Sequence, residues 1–227
     1  LGRHARVGVG VTIVALILSG TAVGLEKEPA DALLAAEYSM VGIRLGAWIS
    51  NQGPQTVQDF TVETNMPDAG FYTELFLDYR LAPVVFLEGS LGIASRGDAV
   101  IEDPTGRYIG TINLYQALFQ VKFSPLSGRS KKFLPFVVAG GGVAWGRQSI
   151  DFIVTYDYSY NPDITNRTEA DFLPVIGGGI DFPVAEQIGL NVAVKYHPIK
   201  FSNVLAGVKD YSGTAVSMGV AYFFHKK

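Results

Sequence analysis

Residues Thr214–Phe224 read T-A-V-S-M-G-V-A-Y-F-F. Val216, Met218, Val220, Tyr222 and Phe224 share one parity; Ala215, Ser217, Gly219, Ala221 and Phe223 share the other. Successive side chains of a strand point to opposite faces, so this stretch builds one large apolar face and one small one. The pattern returns seven more times earlier in the chain, and in most repeats the second face carries charged or amide side chains. A soluble sheet hides its apolar face in a core. An apolar outside around a polar inside suits a closed barrel in lipid. The fold class read from the sequence is therefore all-β: an eight-stranded antiparallel up-and-down transmembrane β-barrel, preceded by a signal peptide.

Composition agrees. The 227 residues are 48% hydrophobic with a mean hydropathy of +0.23. Past residue 25, however, no apolar run reaches the ~18 residues that a spanning helix needs. Alternating strands give apolar content without apolar runs. A net charge of −3 leaves no basic footprint for nucleic acid. The absence of Cys excludes disulfides, thiolate metal sites and Cys nucleophiles.

The N-terminus reads as an address. Arg3, His4 and Arg6 precede the uncharged Val7–Leu18, and small residues run from Ser19 to Gly24 before Glu26. This is the layout of a secretory signal peptide over residues 1–24, cleaved after Ala22 or Gly24; the competing reading is an uncleaved anchor helix. Residues 25–39 form a periplasmic lead-in, 40–224 the barrel and 225–227 a C-terminal tail.

The expected strands are Met40–Asn51, Gly70–Leu81, Val84–Arg96, Thr111–Ser124, Phe133–Arg147, Ala170–Phe182, Ile188–His197 and the closing stretch. The second is the clearest: Phe71, Thr73, Leu75, Leu77, Tyr79 and Leu81 alternate with Tyr72, Glu74, Phe76, Asp78 and Arg80. Gln52–Ala69, Gly97–Gly110, Gln148–Glu169 and Pro198–Tyr211 are expected as long outer connections, the third as a hairpin turning near Asn161-Pro162-Asp163. Ala82-Pro83, Pro125–Lys132 and Pro183–Gln187 are the short periplasmic ones. Long loops outside and short turns inside are the habit of outer-membrane barrels. Outward aromatics Tyr79, Phe119, Phe123, Phe182, Tyr222 and Phe224 form one interfacial girdle, and Trp145 and Tyr196 mark the opposite rim.

Parity turns a nearly balanced set of charges into the lumen: Arg44, Arg80, Arg96, Lys122 and Lys195 with Glu74, Asp78, Glu88 and Asp181. These are the candidate site residues. They are read either as a salt-bridged plug or as the lining of a selective pore. Eight strands leave an interior just wide enough for side chains to fill, which favours the plug. Gly140–Gly142 and Gly177–Gly179 are not followed by Gly-Lys-Ser/Thr, so they are not phosphate loops. His4, His197 and His225 are too scattered for a metal site, and no catalytic or cofactor-binding residue is assigned.

Across about residues 40–224 the chain resembles the small eight-stranded outer-membrane barrels, OmpA/OmpX-like and OmpW-like. The resemblance is carried by Phe133-Leu134-Pro135-Phe136-Val137 with Gly140-Gly141-Gly142, by Val194-Lys195-Tyr196-His197-Pro198, by Tyr211-Ser212-Gly213 and by the aromatic closing strand. It implies a bacterial outer-membrane location, lipid and lipopolysaccharide as surroundings, insertion by the barrel assembly machinery, a monomer and no cofactor. The implied role is structural, adhesive or protective and not enzymatic; the alternative is a narrow channel for small or hydrophobic solutes. Some such barrels hydrolyse lipid A with a His and a Ser on one outward face. His197, Ser202 and Asn203 invite that comparison, but His197 is inward by parity and Pro198 intervenes.

Overall fold

The computed structural model describes residues 38–50, 69–103, 106–127, 133–155, 166–205 and 208–225. The expected signal peptide, most of the lead-in, the connection 52–68, the turn at 161–163 and residues 226–227 lie outside them. The described residues form β1 (Tyr38–Ser50), β2 (Ala69–Ala82), β3 (Val85–Asp103), β4 (Gly106–Phe123), β5 (Leu134–Thr155), β6 (Asn166–Pro183), β7 (Ile188–His197), β8 (Lys200–Leu205), β9 (Val208–Asp210) and β10 (Gly213–His225). Eight of these close an antiparallel barrel in the order β1-β10-β7-β6-β5-β4-β3-β2; β8 and β9 form a separate two-stranded sheet.

The alternation decides which way the wall faces. Val216, Met218, Val220, Tyr222 and Phe224 are exposed on the outside of β10, and Ala215, Ala221 and Phe223 are buried inside. The same division runs round the barrel: Leu75, Leu77 and Tyr79 look out from β2, and Tyr72, Glu74, Phe76 and Asp78 look in. β7 has the expected bounds, and each of its residues alternates between exposed and buried.

Three expected connections fold differently. Gly97–Gly110 is almost wholly strand: Asp98 pairs with Thr111, and the ladder runs on to Asp103 and Gly106. Its glycines and Pro104 read as loop chemistry, but only residues 104–105 separate the two strands. Gly97, at φ 76°, sits in the register shift between Ser95 and Asp98, where a left-handed residue lets the strand bend as it continues. Among the described residues the Gln148–Glu169 hairpin pairs with itself only at Gln148↔Arg167 and Ser149↔Asn166. Its first limb extends β5 to Thr155 against β4, and its second belongs to β6, which meets β5 up to Ser149↔Asn166. A spanning strand needs only ~9–11 residues, so β3, β4 and β5, at 19, 18 and 22 residues, rise well past the bilayer. At the other margin, Tyr38 and Ser39, expected in the lead-in, pair with His225 and Phe224.

The third correction concerns Pro198–Tyr211. It is not a free loop but the β8–β9 hairpin, folded into the barrel mouth. Ile199, Phe201, Leu205, Val208 and Tyr211 are buried in one cluster with Trp48, Tyr72, Ile112 and Leu114 of the inner wall. A second apolar cluster, with Tyr38, Met40, Phe86 and Phe223, occupies the end near the β2–β3 turn. Charged side chains lie between the two.

Candidate functional site

Neighbouring strands deliver the charged groups to adjacent rungs. Arg44 of β1 stands opposite Glu74 of β2, Asp78 of β2 opposite Glu88 of β3, Glu88 opposite Gln120 of β4, and Asp181 of β6 opposite Asn191 of β7. Asp78 beside Glu88 is a like-charge pair, which a sheet tolerates only when cations intervene. Three do.

Arg44 reaches Glu74 at 2.7 Å through Nη1 and Glu88 at 2.9 Å through Nη2, while its Nε donates to Asn191 Oδ1 at 2.5 Å. Its guanidinium lies 3.6 Å from the centre of the Phe76 ring, so the planar fork is held by stacking as well as by donors. Lys195 comes from β7 and donates to the same two carboxylates, Glu74 at 2.8 Å and Glu88 at 2.5 Å. Lys122 of β4 bridges Asp78 at 2.7 Å and Asp181 at 2.8 Å, above the Phe136 ring. Asn191 joins the halves by donating to Asp181 while accepting from Arg44. Gln120 adds donations to Glu88 and Ser90.

Seven of the nine candidate residues thus form one connected layer of three cations and four carboxylates, all buried. The other two lie elsewhere. Arg80 donates to the Ala82 and Pro83 carbonyls at the β2–β3 turn and stacks near Tyr38. Arg96 is buried too, but its charge bears on Tyr211 of the hairpin. Parity assigns a face but not a height, and height separates these two from the rest. Gln120 and Asn191 were legible only as inward amides; that they splice the ion pairs follows from the register.

Above the layer, His197 is fully buried, its ring 4.9 Å from Trp48 and 6.2 Å from Tyr72. Neither of its nitrogens has a hydrogen-bond partner. Ser202 lies exposed on β8 and Asn203 donates to Glu169 at 3.0 Å, so the residues that invited a hydrolase comparison face different surroundings. Among the described residues no group of three or more His, Asp or Glu is placed to hold a metal ion.

What the arrangement can do chemically is limited by its dryness. Each carboxylate of the layer is met by a cation, and the apolar clusters lie on either side. Desolvated ions of this kind are costly to bury and costlier to leave unpaired.

The sequence from residue 15 to 224 matches the family model described as the outer membrane protein beta-barrel domain. No curated protein matches. Among solved structures, Neisserial surface protein A superposes with a TM-score of 0.53 at 14% identity, covering 83% of this chain and 98% of its own. OprG from Pseudomonas aeruginosa gives 0.53 at 14%, covering 84% and 97%. Ail of Yersinia pestis gives 0.49 at 12%, covering 83% and 99%. At such identities the likeness concerns the fold.

Proposed function

The chain belongs to the outer membrane protein beta-barrel domain family, and from that premise we propose a sealed, non-enzymatic barrel of the bacterial outer membrane that acts through what it presents outside. The observation that carries this reading is the buried ionic layer between two apolar clusters. An open aqueous path would hydrate such charges, and selectivity would then follow from their sign. Here they are spent on one another. The prolonged β3, β4 and β5 supply the outer surface for a structural, adhesive or protective role. The barrel works as a monomer among lipid and lipopolysaccharide after insertion by the assembly machinery.

Planar-bilayer recording of the refolded protein tests the reading. The expected result is no steady conductance in the native chain or in Glu74→Gln. A steady native conductance whose ion selectivity moves with Glu74 overturns it in favour of a narrow channel.

A further inference from the structure

The two halves of the ionic layer do not balance alike. Arg44 and Lys195 share Glu74 and Glu88, and both oxygens of each carboxylate receive a charged donor. Lys122 alone serves both Asp78 and Asp181. The surplus negative charge of the layer therefore lies in the Lys122 half. Asp181 gives its other oxygen to the Asn191 amide. Asp78 Oδ2 accepts from Lys122 at 2.7 Å, but its Oδ1 is buried with no hydrogen-bond partner. Every other carboxylate oxygen of the layer has a donor.

The row on which Asp78 stands repeats the shortage. Asp78, Glu88 and Gln120 lie opposite one another across β2, β3 and β4, and Gln120 Oε1 is a second buried acceptor without a partner. A buried carboxylate that lacks compensation gives up its charge rather than pay the full desolvation cost. Of two adjoining carboxylates, one keeps its proton for a related reason, the repulsion of like charges. A proton on Oδ1 turns an orphan acceptor into a donor and leaves Oδ2 to accept from Lys122. It also removes the like charges of the Asp78–Glu88 rung and brings three cations and four carboxylates to neutrality.

We propose that Asp78 is a proton site: the layer binds one proton at Asp78 Oδ1 and keeps it where ordinary carboxylates have ionised. The charged groups packed about it are Arg44 of β1, Glu74 of β2, Glu88 of β3, Lys122 of β4, Asp181 of β6 and Lys195 of β7. Arg80 and Tyr38 lie beyond, toward the β2–β3 turn. Among the described residues, the inward side chains that β5 and β10 set beside the layer are uncharged.

A retained proton ties stability to pH with a definite sign. The unfolded chain releases it above about pH 4, and the folded chain keeps it. Stability therefore falls as pH rises, by about tenfold in the folding equilibrium per unit, until Asp78 ionises within the barrel. Asn at this position copies the neutral acid, since its oxygen can accept from Lys122 and its amide supplies the missing donor.

The test is urea unfolding of the full barrel in lipid vesicles, native against Asp78→Asn, from about pH 5 to about pH 8. Titrations common to the two chains cancel in the ratio of their folding constants. That ratio should move toward the variant as pH rises, by about tenfold per unit while the proton is held. A ratio that is flat, or that moves toward the native chain, overturns the proposal. Replacing sodium with N-methylglucamine at constant ionic strength should leave the native chain unchanged; a loss of stability would assign the charge to a bound metal ion and overturn it too. If the variant does not insert, the native chain decides by its infrared spectrum in ether-lipid vesicles, which carry no ester carbonyl. Near pH 6 the folded barrel should show the carbonyl band of a neutral carboxylic acid, lost on unfolding, and its absence overturns the proposal. Conductance does not depend on which carboxylate holds a proton, so this inference and the sealed-barrel reading fail separately.

Discussion

Arg44 and Glu74 face each other on one rung of β1 and β2, joined at 2.7 Å with neither side chain reaching solvent. Lys195 holds the second oxygen of the same carboxylate. Glu74→Gln therefore leaves Arg44 and Lys195 sharing the single carboxylate of Glu88 in a dry interior, and the expected loss is ~3–5 kcal/mol of barrel stability. Urea unfolding from lipid vesicles measures it. A loss below ~1 kcal/mol, the range of a solvent-screened surface pair, would mean that water reaches the layer.

The two faces of β7 should respond to different insults. Val192 is exposed to lipid, and Val192→Arg is expected to cost ~2–4 kcal/mol or to block insertion. Asn191, its inward neighbour, accepts from Arg44 and donates to Asp181, so even Asn191→Ala should cost ~1–3 kcal/mol through the partners left unsatisfied. Folding yields into vesicles give both. Tolerance of both substitutions contradicts the register.

Phe201 is the largest apolar group that the hairpin places in the mouth, packed 5.6 Å from the Tyr211 ring. Phe201→Ala should lower stability by ~3–5 kcal/mol, the usual cost of a large core cavity. Thermal unfolding in detergent checks this. A neutral result would place the hairpin outside the barrel.

Asp210 gives the hairpin an acid-sensitive clasp. Partial burial raises its carboxyl, but bonds from the Ser212 hydroxyl and backbone N–H, with Lys200 at 3.5 Å, outweigh this and hold it below the usual carboxylate value. A depressed folded-state value means that the stabilisation is complete above the unfolded carboxylate range and is lost as pH falls through the folded value. Trypsin cleavage at Lys200 and Lys209 should accordingly rise below about pH 4 relative to neutral incubation, after acid pulses of increasing depth. In Asp210→Asn the cleavage should be higher and flat across that window.

Much of this architecture was legible because a strand has period two. The alternation in β2, β7 and β10 assigned faces residue by residue, and the structure keeps them. What parity could not supply was height, so Arg80 and Arg96 looked equivalent to Arg44 though they lie at other levels. Gly97–Gly110 read as loop because Gly, Asp, Pro and Thr are turn residues anywhere, while Val100 and Ile101 in its middle are strand formers that pair with Ile109 and Tyr108. Pro198 hid the hairpin in a similar way. It ends the wall, and the alternation of Ile199, Lys200 and Phe201 just beyond it went unread as strand.

The pairing of β1 with β10 from Tyr38↔His225 to Ser50↔Gly213 sets the order of biogenesis. A ribosome makes β1 before β10, so the first strand keeps an open edge until β10 has been made. The seams between can zip locally, but the ring cannot shut while the chain is being made. Throughout export the chain exposes Val, Leu and Phe on one side of every strand with no bilayer to receive them. It must cross the periplasm unclosed and complete itself only where lipid and its own last strand arrive together.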